Sequence, residues 1–444
     1  MPTPRPSTTA RAWRRAAAGV FLLFAATASL SAQTIAIRAG GIADPSTGTT
    51  SGPAVIIVAG DQITAVGPNL PIPAGAEVVD LSGAIVSPGL IDTHTHLAAA
   101  YEPGATRLRE YTVSVSTAER ALQGVANAWQ MLESGFTTVR DLGNAGNHAD
   151  AALAMFFGGG DRRRAAVYGG ASLANTRLFG RKVVGPTIVY SGKIVTPYGG
   201  QFQLSPEHPD IGRQDYAYAD TRDELRRAIR ENVHHGATWI KITIDDYPYR
   251  YTVDDVRFVV AEAAAAGARV TAHCVTDAGA RIAIDGGVAS IEHGYVMSDE
   301  TLALSRDRGI VLVGTESPGV FMQRFGRTEH DSRTIERLRR AHKTGAKLAF
   351  GTDIIRAPSD VSRGVVTMSV VDAWVEAGIP ARDILRAMTS DAAALLGMER
   401  ERGLIRPGYY ADLIATRVSP LSEIATLKDV TFVMKHGVIM KDPS

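Results

Sequence analysis

The chain has 444 residues, 45% hydrophobic and 21% charged, with a formal charge of +1. That length exceeds one simple core and suits a large barrel with a smaller domain, while the near-neutral balance excludes an electrostatic claim on nucleic acid. A single cysteine, Cys274, excludes an internal disulfide, so stability has to come from the core.

The first segment reads as an export signal rather than structure. Arg5, Arg11, Arg14 and Arg15 form a basic start with no acid, and "AAAGVFLLFAATA" over 16–28 is an apolar run too short to span a membrane. Small residues follow to Ala32, so residues 1–32 are expected to be removed, with cleavage near Ala28 or Ala32. The remaining chain carries 43 basic and 46 acidic residues, net −3. A periplasmic or secreted protein without stable membrane insertion is expected; the Arg14–Arg15 pair leaves the export route open.

Residues 33–87 read as the first part of a small β-domain. "TIAIRAGGIADP", "GPAVIIVAGDQITAVG" and "AEVVDLSGAIV" are apolar, β-branched runs broken by Gly, Asp and Pro. From Pro88 to about residue 400 the rhythm changes. "MLESG" leads into "FTTVRD". Thr221 and Glu224 make a capping box before Leu225, Ile229 and Val233, Gly236 stops that helix, and "ATWIK" follows. Thr252 opens the next helix, Gly267 closes it, and "ARVTAH" follows. "ARIAIDGG" leads into "VASIEH", and "LRRAHKTG" into "AKLAFGTD". Alternating helices and strands predict an α/β fold with parallel strands. Residues 401–444 return to short strands and are expected to complete the first β-domain. The predicted architecture is therefore a (β/α)8 TIM-like barrel inserted in a small β-sandwich built from both ends of the chain.

Polar residues keep a phase in this pattern. Lys241 lies five residues after Gly236, His273 six after Gly267, His293 six after Gly287 and Asp353 eight after Gly345. Each falls where its strand should end, and in a β/α barrel that end carries the chemistry. His94 and His96, separated by one threonine, converge if they lie on a strand. Imidazoles and a carboxylate suit zinc or a similar divalent ion. Lys241 is the odd member, because an ammonium repels a cation. Set in the apolar "ATWIKITI", it is costly as an unpaired charge and shifts readily towards the neutral amine. A neutral amine can add carbon dioxide and become an anionic carbamate ligand.

The segments "PGLIDTHTH", "VRDLG", "IKI", "AHC", "SIEHG", "FGTD" and "GLIRPGYYADL" resemble the amidohydrolase superfamily over roughly residues 34–440. They are most similar to its binuclear, prolidase-like branch, near Xaa-Pro dipeptidase, imidazolonepropionase-like and ochratoxinase-like sequences. The resemblance implies that His94, His96 and Asp353 hold one metal ion, that His273 and His293 hold a second, and that carboxylated Lys241 bridges two zinc ions. Two such cations ~3.5–4 Å apart would turn a bridging water into hydroxide near neutral pH. Asp353 would then be the catalytic acid–base group, carrying the water's proton to the leaving nitrogen. The expected substrate is an amide in a small peptide or N-acyl amino acid, with ochratoxin-type amides included. A cyclic-amide hydrolase of the same superfamily and, more remotely, a non-enzymatic scaffold remain as alternatives. Gln201 departs from the family pattern, which has histidine after the two glycines, so the substrate class is left open there. Homo-oligomerisation also stays open.

Substrate contacts are expected in loops after the strands, at Tyr101, Tyr198, Tyr247, Arg250 and Arg356. Asp92 and Asp141 are candidates for supporting the ligands, Asp141 equally for capping a turn. Cys274, next to His273, is expected to pack on the opposite face. His234 and His235 are expected to close a helix, and His148, His208, His330, His342 and His436 to lie at the surface.

Overall fold

The computed structural model describes residues 33–99, 108–158, 177–178, 181–201, 206–208, 210–247, 249–316, 332–355 and 360–442. The expected export signal at 1–32, Tyr101, His330 and Arg356 lie outside the described residues.

The chain opens with β1 (Thr34–Asp44), β2 (Ala54–Ala59), β3 (Gln62–Gly67) and β4 (Glu77–Pro88). β1 pairs antiparallel with β2 and parallel with β4, and β2 pairs antiparallel with β3. One residue later the chain enters the barrel. Its strands are β5 (Leu90–Thr95), β6 (Phe136–Asp141), β7 (Thr187–Tyr190), β8 (Ile194–Thr196), β9 (Trp239–Thr243), β10 (Arg269–Cys274), β11 (Ser290–His293), β12 (Val311–Val313) and β13 (Lys347–Leu348). Every ladder among them is parallel. β7 pairs with β6 and β8 with β9, so the third barrel position is one strand broken at 191–193, where Gly192 takes φ 70°. The ring closes beyond β13. Thr93 N donates to Phe350 O at 2.9 Å, and the Thr352 and Asp353 amides donate to His94 O at 3.0 and 2.7 Å.

Parallel strands are covered on both faces and need apolar side chains throughout. β9, "WIKIT", is buried at every position, lysine included. The connecting helices carry the expected signals. Thr221 caps Arg222–His234 and Thr252 caps Val253–Ala265, each in a reciprocal capping box with Glu224 or Asp255. Gly287 ends Asp277–Gly286 in the left-handed conformation, φ 83°, which glycine adopts at no steric cost.

The tail supplies β14 (Leu413–Thr416), β15 (Phe432–Lys435) and β16 (Val438–Lys441). β14 lies antiparallel to β4, giving the order β16-β15-β14-β4-β1-β2-β3, with the short strand Thr49–Thr50 beside β1. Ile37, Ile56, Leu81, Leu413 and Phe432, from both ends of the chain, share one apolar cluster. Each such side chain fully buried contributes about 1.5–3 kcal/mol. No helix among the described residues is long and apolar enough to cross a membrane.

Several histidines depart from or refine the expectation. His148 is not a surface residue: its side chain is 9% exposed and its ring stacks on His235 at 4.0 Å. Burial and the neighbouring His235 push it down to about 4. It starts Ala149–Phe156 from a left-handed residue, φ 65°, which turns the ring inward. His235 closes Arg222–His234 at its C-terminal cap. His208 is exposed, while His342 and His436 are partly exposed and engaged, with Asp383 and Arg402 respectively. Cys274 packs in the apolar layer outside the ring.

Candidate metal centre

β5 delivers His94 and leads directly to His96. The backbone beyond β13 brings Asp353 against them, its amide bonded to His94 O. Gly351 permits that approach, since a Cβ there would sit 2.8 Å from His94 Cβ. His96 Nε2 lies 2.9 Å and His94 Nε2 3.3 Å from Asp353 Oδ1. Ligand atoms of these three residues fall within 4.8 Å of one another.

β9, β10 and β11 bring the other candidates to the same mouth. Lys241 Nζ is 3.3 Å from His94 Nε2. The His293 ring lies 5.3 Å from that of His94 and 4.6 Å from that of His273. Lys241, His273 and His293 are all buried. His273 Nε2 has no hydrogen-bond partner among the described residues.

What the far ring nitrogens do decides what the near ones can do. His94 Nδ1 faces Glu292 Oε2 at 2.7 Å, and His96 Nδ1 faces Gly143 O at 2.7 Å. Both acceptors call for a proton on Nδ1 and leave Nε2 with a bare lone pair towards Asp353. Glu292 is held in turn by Arg140 at 2.8 Å, Ser290 at 2.9 Å and Thr271. Burial acts to raise the Glu292 carboxyl, but Arg140 and His94 overcome it and hold the group well below the carboxylate range. Asp141 accepts from the Leu97 and Gly143 amides at 2.7 and 3.1 Å, so it fixes the very carbonyl that orients His96. Asp92 accepts from the His94 amide at 3.0 Å and Thr352 Oγ1 at 2.7 Å, locking β5 to the Asp353 segment. His293 Nδ1 meets Thr315 Oγ1 at 2.8 Å and Tyr295 Oη at 3.2 Å.

Burial pushes Lys241 down to about 8, against the pull of Glu292 and Asp353. His94 is lowered by burial and Lys241, and His293 by burial and His273. The centre therefore gathers four imidazoles around a carboxylate, with His94 and His293 pushed towards the neutral form and a lysine shifted towards the amine. That donor set fits zinc or a comparable divalent ion.

The backbone is strained at the same place. His293 (φ 69°), Thr315 (φ 55°), Asp353 (φ 53°) and Asp246 (φ 94°) are non-glycine residues in the left-handed region. Each costs on the order of 1–3 kcal/mol and persists because the surroundings hold it.

Of the expected substrate residues, Tyr198 is 58% exposed, Arg250 is exposed and Tyr247 is half-buried. Glu292, Arg140, Thr315 and Asp246 were not singled out from sequence. A signal for Glu292 existed: a carboxylate inside the apolar "VASIEH". Strand alternation sets Glu292 and His293 on opposite faces, but His293 leaves strand geometry at φ 69°, so both reach the site.

Comparison with known proteins agrees with this geometry. The family model described as "Amidohydrolase family" matches residues 85–440. Ochratoxinase of Aspergillus niger is 28% identical over 386 residues, covering 81% of this chain and 76% of that protein. Imidazolonepropionase of Myxococcus xanthus is 25% identical over 390 residues, covering 81% and 83%. Among solved structures, a Xaa-Pro dipeptidase with methionine bound in the active site superposes with a TM-score of 0.76 at 25% identity, covering 92% of this chain and 99% of that one.

Proposed function

This chain belongs to the amidohydrolase family and is a hydrolase, and on that premise we propose that it is an exported, binuclear enzyme cleaving an amide bond in a small peptide or N-acyl amino acid. The observation that carries the two-metal reading is Lys241: 3% exposed, on a strand buried throughout, with Nζ 3.3 Å from His94 Nε2 among four histidines. A lysine held as an ammonium would oppose a cation there. As a neutral amine it could take up carbon dioxide with loss of one proton, and the resulting carbamate would supply an anionic ligand in place of the opposing charge.

His94, His96 and Asp353 would hold one ion, His273 and His293 the other, with Lys241 between. Two such ions, when bound, polarise a carbonyl and bring the pKa of a shared water near neutrality. The protein supplies the rest. Glu292 and Gly143 O keep the His94 and His96 lone pairs aimed inward. Asp353 Oδ1 lies against the two histidines, while Oδ2 is 3.9 Å from Nδ1 of the His293 ring, which burial keeps towards the neutral form. In this reading Oδ2 would take a proton from the attacking water and return it to the leaving nitrogen, which is too basic to depart as an anion. Export rests on the basic start and short apolar run of residues 1–32.

The test is a panel of dipeptides, N-acyl amino acids and cyclic amides against the zinc-loaded protein, with metal counted by mass spectrometry. Two metals per chain and turnover of linear amides are expected. Turnover of cyclic amides alone would favour the second reading, to which the imidazolonepropionase likeness points. Two metals and full activity in Lys241→Ala would sink the carbamate.

A further inference from the structure

Thr315 is strained without being a ligand candidate. It lies two residues beyond β12 and takes φ 55°, where a β-branched side chain is a genuine outlier. Its hydroxyl oxygen is 2.8 Å from His293 Nδ1, and Tyr295 Oη is 3.2 Å from the same nitrogen. The other two oriented rings differ in kind. His94 Nδ1 faces a carboxylate and His96 Nδ1 a backbone carbonyl, groups that accept. A hydroxyl donates as well as accepts and turns about its own bond. The His293 ring therefore depends on where the backbone holds Thr315.

Arg337 does the holding, from the helix Ser332–Thr344 packed outside the ring. Its Nη2 donates to Gly314 O at 3.0 Å, and its Nη1 lies 2.9 Å from Glu316 Oε1. One planar fork thus grips the residues on both sides of Thr315. Arg337 and Glu316 are fully enclosed, and Thr315 is buried. There is no slack, because a Cβ on Gly314 would collide with Glu316 Oε1 and with both terminal nitrogens of Arg337. Stability alone does not call for such a pair. Apolar side chains of similar volume often replace a buried ion pair at no cost, and neither Glu316 oxygen has a well-aligned hydrogen bond among the described residues. What an apolar pair cannot do is hold the Gly314 carbonyl and fix the turn.

We propose that Arg337 and Glu316 are positioning residues for the metal ion assigned to His273 and His293: they keep Thr315 in its left-handed turn, and the Thr315 hydroxyl sets the tautomer and rotation of the His293 ring. The arrangement parallels Arg140 and Glu292 behind His94, with one more link. The inference rests on the two-metal reading for the ion it affects, though not for the orientation of the ring.

The double variant Glu316→Leu/Arg337→Met removes the grip without leaving a buried charge. Arg337→Lys keeps the charge, loses the fork and makes the same test should the double variant not fold. Both are compared with wild type, Thr315→Val and Thr315→Ser. Zinc affinity is measured stepwise by chelator competition, and the His293 tautomer is read in metal-free protein by nitrogen NMR of labelled histidine, with His293→Asn to assign the signal. Wild type should bind two ions and show one tautomer. In Thr315→Val and in either Arg337 variant, the affinity for one ion should fall about 10–100-fold with the other unchanged, and both tautomers should appear. Thr315→Ser keeps the hydroxyl and should behave as wild type. Unchanged affinities, an equal loss at both ions, or a serine variant as impaired as the valine one overturns the proposal. If wild type binds fewer than two ions, the two-metal reading fails while the spectrum still decides. A single tautomer lost in the variants then supports the positioning role, and a tautomer that never changes, or a mixture already in wild type, overturns it.

Discussion

Two lysines are buried among the described residues, and their surroundings differ in a way that separates function from framework. Lys435, on β15, is 1% exposed; its Nζ donates to Asp412 Oδ2 at 2.7 Å and to Thr187 Oγ1 at 2.9 Å. Arg402 shares the same carboxylate. That lysine joins the terminal sheet to the start of β7, and its protons are used. Lys241 is equally enclosed, but its hydrogen-bonding neighbour is a histidine nitrogen, and Glu292 and Asp353 act on it only at a distance. A buried amine whose protons have acceptors is structural. One whose near polar neighbour is an imidazole, with no carboxylate in contact to balance its charge, is better matched to losing a proton and taking up another group.

The largest effect that would break this contrast is at Lys241. On the proposed two-metal reading, Lys241→Ala should lower kcat/KM by about 10³-fold or more, since the charge stabilisation that two ions would supply is lost. Its metal count should fall below two, and its thermal midpoint should hardly move. Glu292→Gln comes next. The amide keeps the shape but puts a donor or a weaker acceptor opposite His94 Nδ1 and Arg140. Roughly 10–100-fold losses in metal affinity and activity are expected, the usual consequence of disturbing a group that orients a ligand. Equilibrium zinc competition and steady-state kinetics would check it, and an unchanged zinc affinity would remove Glu292 from the site.

Lys435→Met should do the opposite of Lys241→Ala. Activity should stay within about twofold, while denaturant unfolding should show a loss of roughly 2–4 kcal/mol as Asp412 loses a buried partner. A pH slope should accompany it. Burial, with Arg402 beside it, pushes Lys435 down to about 7 from 10.5. The native state therefore binds this proton less tightly than the unfolded chain does. The contribution to stability should fall as pH drops from 10.5 towards 7 and level off below that. Thermal melts of metal-free protein across that range should show the slope, and Lys435→Met should lack it. A slope retained in the variant would assign it to another group.

Much of the site was legible because metal chemistry is written in residue types and barrel strands end at regular places. Lys241, His273, His293 and Asp353 lie at the strand ends that helix stop, apolar run and polar residue pointed to, and His94 and His96 lie on and just beyond the first barrel strand. His148 was misread because a polar neighbourhood in sequence does not reveal a ring stacked on His235. Gln201, noted only as a departure, turns out to link Tyr216 Oη at 3.1 Å with Asp246 at 3.5 Å.

The sequence by itself determined the alternation of helices and strands, the barrel class and the identity of the ligand candidates, because those depend on periodicity, caps and side-chain chemistry that are local to the chain. Only the tertiary structure decided which nitrogen of His94 and His96 faces the centre, that Arg337 holds both neighbours of Thr315, and that Lys241 and Lys435 have different work. Each of those depends on a partner far away in sequence, such as Glu292 for His94 or Thr187 for Lys435. Others depend on a left-handed residue that breaks the strand alternation, and nothing local signals either one.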